Sequence, residues 1–218
     1  RILPRLVTLA LGAVIGICLV LTVSRSAMLG AGLAILVISV LRYRQLLPLI
    51  LVAAIIFLAL PWSQGLLTHF VEGFRGEDLS TRMRFGEYKD TFILIRRYPF
   101  LGVGFTGAPD IDIYVAVASL YLIVTAQMGI LGLGAFLAVL GIVLWRFLKH
   151  RRSVAAYPDL EPLWYGAHAA IIGGAISGIF DHYFFSLDFH HSVTLFWLVV
   201  GLATAATELV RSRVADSV

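Results

Sequence analysis

The sequence predicts an all-α fold: a polytopic membrane bundle of about six spanning helices, with an extracytoplasmic loop that carries an amphipathic helix and a re-entrant helix. Three observations predict it. Of the 218 residues, 60% are hydrophobic and only 14% are charged, against roughly 25% charged in a soluble domain. The mean hydropathy is +0.92. The apolar residues fall in long runs broken by short charged stretches and by one long polar interruption, residues 63–113, which holds seven of the thirteen acids. Residues 1–218 read as a single transmembrane domain without a soluble domain, tandem repeat or low-complexity tract.

The elements follow in order. A hydrocarbon core about 30 Å thick takes about 20 apolar residues as a helix. Residues 6–23 form the first such run, ended by Ser24-Arg25-Ser26. Residues 27–41 form a second, shorter run, ended by Arg42-Tyr43-Arg44-Gln45. Residues 46–62 form a third, in which Pro48 falls in the first turn, where a missing N–H costs little. Beyond the polar loop come residues 114–128 and 130–148, separated only by Gly129, then the basic cluster Lys149-His150-Arg151-Arg152. Residues 163–185 and 192–210 complete the set. The lone cysteine, Cys18, sits in an apolar run and has no partner in the chain for a disulfide. The first residue is Arg1 rather than Met, as expected of a fragment of a longer protein.

Charge placement sets the topology, because Lys and Arg favour cytoplasmic loops. Let residue 1 be inside and every run except 114–128 span. Then Arg1, Arg5, Arg42, Arg44, Arg146, Lys149, Arg151, Arg152, Arg211 and Arg213 lie inside, ten basic residues against four acids (Asp159, Glu161, Glu208, Asp216). The outside holds nine acids and seven basic residues. If 114–128 also crossed, the Lys149 cluster and the C-terminal arginines would move outside. The rule favours six spans, with 114–128 re-entrant or shallow on the outer face, over seven. Arg25, the 63–113 loop and the 180–191 turn then share one outer surface and can form one site.

Within the loop, Ser80 can cap a helix that Pro99 ends. Phe85, Tyr88, Phe92 and Ile95 recur at helical spacing as one apolar face, with Arg82, Glu87, Asp90 and Arg97 largely elsewhere. This is an amphipathic helix at the membrane surface. It serves either as a lid with solvated charges or as an arginine cluster at headgroup level, where planar guanidinium groups bind phosphate oxygens bidentately. Arg25 lies between two apolar runs with no acid nearby in sequence, the position of a functional charge or of a snorkelling interfacial arginine. Residues 102–107 spell G-x-G-x-x-G, but no buried strand precedes them and Pro109 follows, so they read as a turn that returns the chain to the bilayer and not as a dinucleotide site. Asp181-His182-Tyr183 and Asp188-Phe189-His190-His191 match no common zinc spacing. They fit either an aromatic and histidine belt or a histidine acting as general acid or base. His168, inside an apolar run, reads as a satisfied core histidine.

These residues resemble a family. Thr22-Val23-Ser24-Arg25-Ser26-Ala27 resembles the Ser-Arg-small motif of the O-antigen ligase and polymerase superfamily. Arg84, Tyr88, Pro99 and Leu101-Gly102-Val103-Gly104 resemble its loop signature, an arginine, an aromatic four residues on, then P-x-x-G-x-G. Leu120-Tyr121-Leu122 and Met128-Gly129-Ile130-Leu131-Gly132 resemble the segment that closes the loop. Family members usually have about twice this length, so the chain would be the C-terminal half.

The resemblance implies a multi-pass glycosyltransferase of the bacterial inner (plasma) membrane, with its active face extracytoplasmic. Such a protein moves a glycan from a polyprenyl-pyrophosphate carrier to a lipid or glycan acceptor among membrane lipids. It uses no nucleotide sugar, cofactor or required metal, and no nucleic acid is a partner. By motif match Arg25 and Arg84, with Arg82 as the alternative alignment, would be pyrophosphate-binding and would stabilise the leaving group's developing charge. A histidine and an asparagine usually precede the Leu-Tyr-Leu segment, the histidine being assigned to acceptor activation; here Ala118 and Ser119 stand there. Topology offers His182 as the catalytic substitute. The alternative is a transporter of bicarbonate type or a non-catalytic member of the superfamily. A secondary transporter should show polar or broken helices at mid-membrane, whereas the ionisable residues here, His168 apart, gather at the ends of the runs.

Overall fold

The computed structural model describes residues 4–59, 79–105, 117–185 and 190–216. Among them are seven α-helices and no strand: α1 (Arg5–Leu21), α2 (Arg25–Leu41), α3 (Leu47–Ala59), α4 (Leu79–Arg97), α5 (Leu120–His150), α6 (Glu161–Ser177) and α7 (His190–Ala215). Short 3-10 turns at Arg44–Leu46 and Val154–Ala156 join α2 to α3 and α5 to α6. Helices α5 and α7 are long and apolar enough to cross a bilayer. Helices α1 and α2, 17 residues each, reach about 25 Å at about 1.5 Å per residue.

The centre of the bundle is the pair α2 and α6. Ser26, Gly30 and Ala34, four residues apart on α2, are all buried. A Cβ on Gly30 would lie 2.5 Å from the Gly173 carbonyl oxygen, so the two backbones touch. Small residues are what allow this approach between membrane helices, where packing rather than water exclusion drives association. The pair is antiparallel: Ser26 bonds Asp181 at one end and Arg42 bonds Glu161 at the other. Helices α5 and α7 pack around it through two apolar clusters. One contains Leu120, Val124, Phe136, Ile171 and Phe196; the other contains Phe147, Trp164, Tyr165 and Val210. Helix α1 buries none of its residues, and Leu6 is 81% exposed. In a chain of this hydropathy those side chains face hydrocarbon.

Helix α5 is broken. Gly129 has φ 68° and ψ −174°, outside helical space, and separates residues 120–128 from 130–150. The first piece spans only about 13 Å, too short to cross the membrane. The expected short helix, Gly129 break and long helix are therefore observed; residues 114–116, where the short helix was expected to begin, lie outside the described residues. Helix α6 differs from expectation. The apolar run 163–185 is helical only to Ser177, with Gly178 at its C-cap, because the Gly178 carbonyl is taken by the Leu120 amide at 2.7 Å. Residues 178–185 instead form turns and irregular backbone beyond the end of α6.

Candidate functional site

The start of α2 is set by a strained turn. Val23 has φ 51°, a left-handed conformation that a β-branched residue rarely adopts and that costs on the order of 1–3 kcal/mol. The turn places Ser24 so that its hydroxyl accepts the Ala27 amide at 3.4 Å and caps α2. Arg25 becomes the first residue of the helix, and Ser26 turns into the bundle, buried.

Facing Ser26 is Asp181, just past the end of α6. Its Oδ2 accepts from Ser26 Oγ at 3.3 Å and its Oδ1 from the His182 amide at 2.8 Å. Its backbone carbonyl accepts from Leu120 N at 2.8 Å, the same amide that reaches Gly178 O. The His182 ring is stacked on Tyr183, and its Nδ1 lies 3.8 Å from Asp181 Oδ1.

The segment before α5 is held from its other side by α4. Glu87 Oε2 accepts the Ala118 amide at 3.2 Å, and the Tyr88 hydroxyl donates to the Ala118 carbonyl at 3.4 Å. Both polar atoms of one residue are thus clamped by neighbouring side chains of one helix. Burial raises the Tyr88 phenol above its ordinary range; the Arg84 charge opposes this and the Glu87 carboxylate adds to it. Tyr88 therefore stays protonated near neutral pH and can donate. Arg84 sits one turn before this clamp on α4.

The P-x-x-G-x-G loop that follows α4 plugs the break in α5. Val103 N and Gly104 N donate to Ala126 O and Gln127 O, both at 2.9 Å, and Pro99 O accepts from Ile130 N at 2.8 Å. The loop satisfies the last carbonyls of the short helix and a first amide of the long one. Gly102 and Gly129 have φ of 67° and 68°, and a Cβ on Gly129 would lie 2.0 Å from Phe100 O. No other residue fits there. The expected turn toward the bilayer is thus a docked plug, and residues 106–113 of the loop lie outside the described residues.

The structure therefore brings Arg25, Ser26, Asp181, His182, Ala118, Arg84, Glu87 and Tyr88 to one end of the bundle. The side chain of Arg82, residues 63–78, and Asp188 and Phe189 lie outside the described residues. His190 and His191 begin α7 and contact each other. His168 is fully buried between Phe147 and Trp164, with Nδ1 2.7 Å from Trp164 O. Among the described residues its Nε2 has no hydrogen-bond partner, so the core histidine is only half satisfied by them. Helix α4 buries Thr91 and Leu94 against the bundle, while Phe85 and Phe92 of the expected apolar face are exposed. Sequence reasoning missed the parts of Glu87 and Tyr88, whose partners are backbone atoms of a residue with no polar side chain.

No curated protein and no solved structure matches the chain. A family model described as O-antigen ligase matches residues 9–137, which include Arg25, Arg82, Arg84, Ala118 and the glycine loop but not Asp181 or His182. A match over more than half of the chain, on a helical bundle with two helices able to cross a membrane, makes this protein a member of the O-antigen ligase family of membrane proteins.

Proposed function

We propose that this end of the bundle transfers a glycan from a polyprenyl-pyrophosphate carrier to a lipid or glycan acceptor at the outer face of a bacterial inner membrane. Family membership supports glycan transfer in general. The observation that supports the finer reading is that the Ser26–Asp181 bond, beside Arg25 and His182, and the Glu87–Ala118 bond, one turn from Arg84, lie at the same end of the bundle. Arg25 and Arg84, with Arg82 as the alternative, bind the pyrophosphate oxygens through forked guanidinium donors. The acceptor hydroxyl oxygen attacks the anomeric carbon. The carbon–oxygen bond to the pyrophosphate breaks and its electron pair leaves on the phosphate, whose added charge the arginines stabilise. His182 takes the hydroxyl proton. Charge placement in the sequence supports an arrangement of six spans with this end outside and α4 along the surface.

Among the described residues, the break in α5 is a feature that would suit a transporter, since broken helices offer free carbonyls to ions. Here Ala126 O and Gln127 O are already occupied by the loop amides, which favours the enzyme. The test is reconstitution in vesicles with a polyprenyl-pyrophosphate glycan and an acceptor oligosaccharide or lipid. Arg25-dependent release of free polyprenyl pyrophosphate, with a newly joined glycan, supports the reading. No release across several donors and acceptors, together with solute uptake into the same vesicles, would overturn it.

A further inference from the structure

The two arginines of the proposed site stand on elements remote in sequence, and a continuous polar chain joins those elements. It runs from α4, where Glu87 and Tyr88 grip the two polar atoms of Ala118. It continues along the backbone to Leu120, whose amide is shared by Gly178 O and Asp181 O. It ends where Asp181 Oδ2 accepts from Ser26, the residue after Arg25. Its two ends each lie one residue or one helical turn from a proposed phosphate ligand. Apolar packing at this end has no such directionality, and α4 meets the rest of the bundle on few buried side chains, Thr91 and Leu94 among them. Rotating or sliding α4 would move Arg84 against Arg25; the docked loop anchors the C-terminal end of α4, and the Ala118 clamp holds the turn next to Arg84.

We infer that Glu87 and Asp181 are positioning residues that fix the separation of Arg84 and Arg25 so that one pyrophosphate engages both. The inference rests on the arginine assignment made above. It assigns Glu87 the role of hydrogen-bond acceptor, not of base, and this is open to direct test. A glutamine at position 87 keeps an oxygen that can accept the Ala118 amide and loses the charge. An asparagine at position 181 can keep both contacts without the charge, its oxygen accepting the His182 amide and its NH2 donating to the Ser26 hydroxyl. A monophosphate needs only one arginine, so it is insensitive to their separation.

The experiment is binding of a polyprenyl pyrophosphate and of the matching polyprenyl monophosphate to the full chain in nanodiscs. Wild type is compared with Glu87→Ala, Glu87→Gln, Asp181→Ala, Asp181→Asn, Arg25→Ala and Arg84→Ala. Glu87→Ala and Asp181→Ala should each weaken pyrophosphate binding about ten-fold, since small misplacements of paired ligands are costly, and should leave monophosphate binding nearly unchanged. Glu87→Gln and Asp181→Asn should restore the pyrophosphate preference. Equal losses for both probes would mark a general folding defect and overturn the inference, as would wild-type binding in the alanine variants or failure of the amide variants to rescue. If Arg25→Ala and Arg84→Ala bind both probes like wild type, the arginine assignment itself falls, whatever Glu87 does.

Discussion

Arginines gather at both ends of the bundle, and the two ends hold their carboxylates differently. At the end where α2 finishes, guanidinium groups meet carboxylates brought by other elements: Arg42 with Glu161, Arg146 with Glu208, and Arg213 with Asp159. Lys149 and Arg213 also lie over the rings of Trp145 and Tyr157. At the end where α2 begins, Glu87 accepts a backbone amide, and Asp181 accepts a hydroxyl and a backbone amide. At the first end charge joins helices to one another. At the second, carboxylates shape backbone around Arg25 and Arg84. Among the described contacts, ion pairs between helices mark the end the charge rule puts inside, and carboxylate bonds to backbone and hydroxyl groups mark the end it puts outside.

The largest expected effect tests that division. Arg25→Ala or Arg84→Ala should lower glycan transfer by at least about 100-fold, the usual loss when a transition-state donor is removed, with membrane insertion intact. Arg42→Ala, its pair being part-exposed, should keep transfer within about two-fold and instead lower the thermal unfolding midpoint. Parallel assays of turnover and unfolding decide. Full loss of transfer in Arg42→Ala would break the comparison.

Next comes the proton acceptor. His182→Ala should slow transfer by on the order of 100-fold, within the range of general-base contributions. His190→Ala, at the start of α7, should leave the rate near wild type. Equal rates in the two variants would remove His182 from the chemistry and leave the outer end as a binding surface only.

Gly129→Ala sharpens the contrast by striking the outer end without touching a charge. Its Cβ would overlap Phe100 O, and φ 68° is already adverse for a side chain. The loop must leave the break in α5, at a cost on the order of 1–3 kcal/mol. Transfer should fall about ten-fold, and protease cutting within residues 98–105 should quicken. An uncut, fully active variant would show that the plug has no bearing on the site.

Much of this was legible in the sequence, and the gaps have physical causes. Hydropathy marked 27–41 closely, since α2 runs Arg25–Leu41. Gly129 stood out as a break because the apolar runs on either side of it otherwise merge. The end of α6 was not legible. Residues 178–185 are apolar enough to continue a helix, and what stops them is the Leu120 amide, a contact made across the fold. The face by which α4 packs on the bundle was not legible for a related reason: periodicity picks out the apolar face of Phe85 and Phe92 but not Thr91 and Leu94, which are the buried ones. The clamp at Ala118 was invisible because it uses backbone atoms.

The smallest effect concerns the inner end and pH. The Asp159 carboxyl is held below the ordinary carboxylate range, first by its hydrogen bond from Arg213, against a small opposing cost of desolvation. A group whose folded value is depressed adds stability above its unfolded value and loses it as pH falls through the folded one. Wild type should therefore be slightly more stable than Asp159→Asn near neutral pH, and the two should converge as acidification passes below the ordinary carboxylate range. The side chains of Arg213 and Asp159 are 42% and 58% exposed, so salt screens the pair and the difference should shrink further in strong salt. Unfolding midpoints of both proteins across that pH range, at low and high salt, provide the check. A gap that persisted in acid would mean that Asp159 acts through something other than its charge, and the ion-pair account of this end would fail where it is weakest.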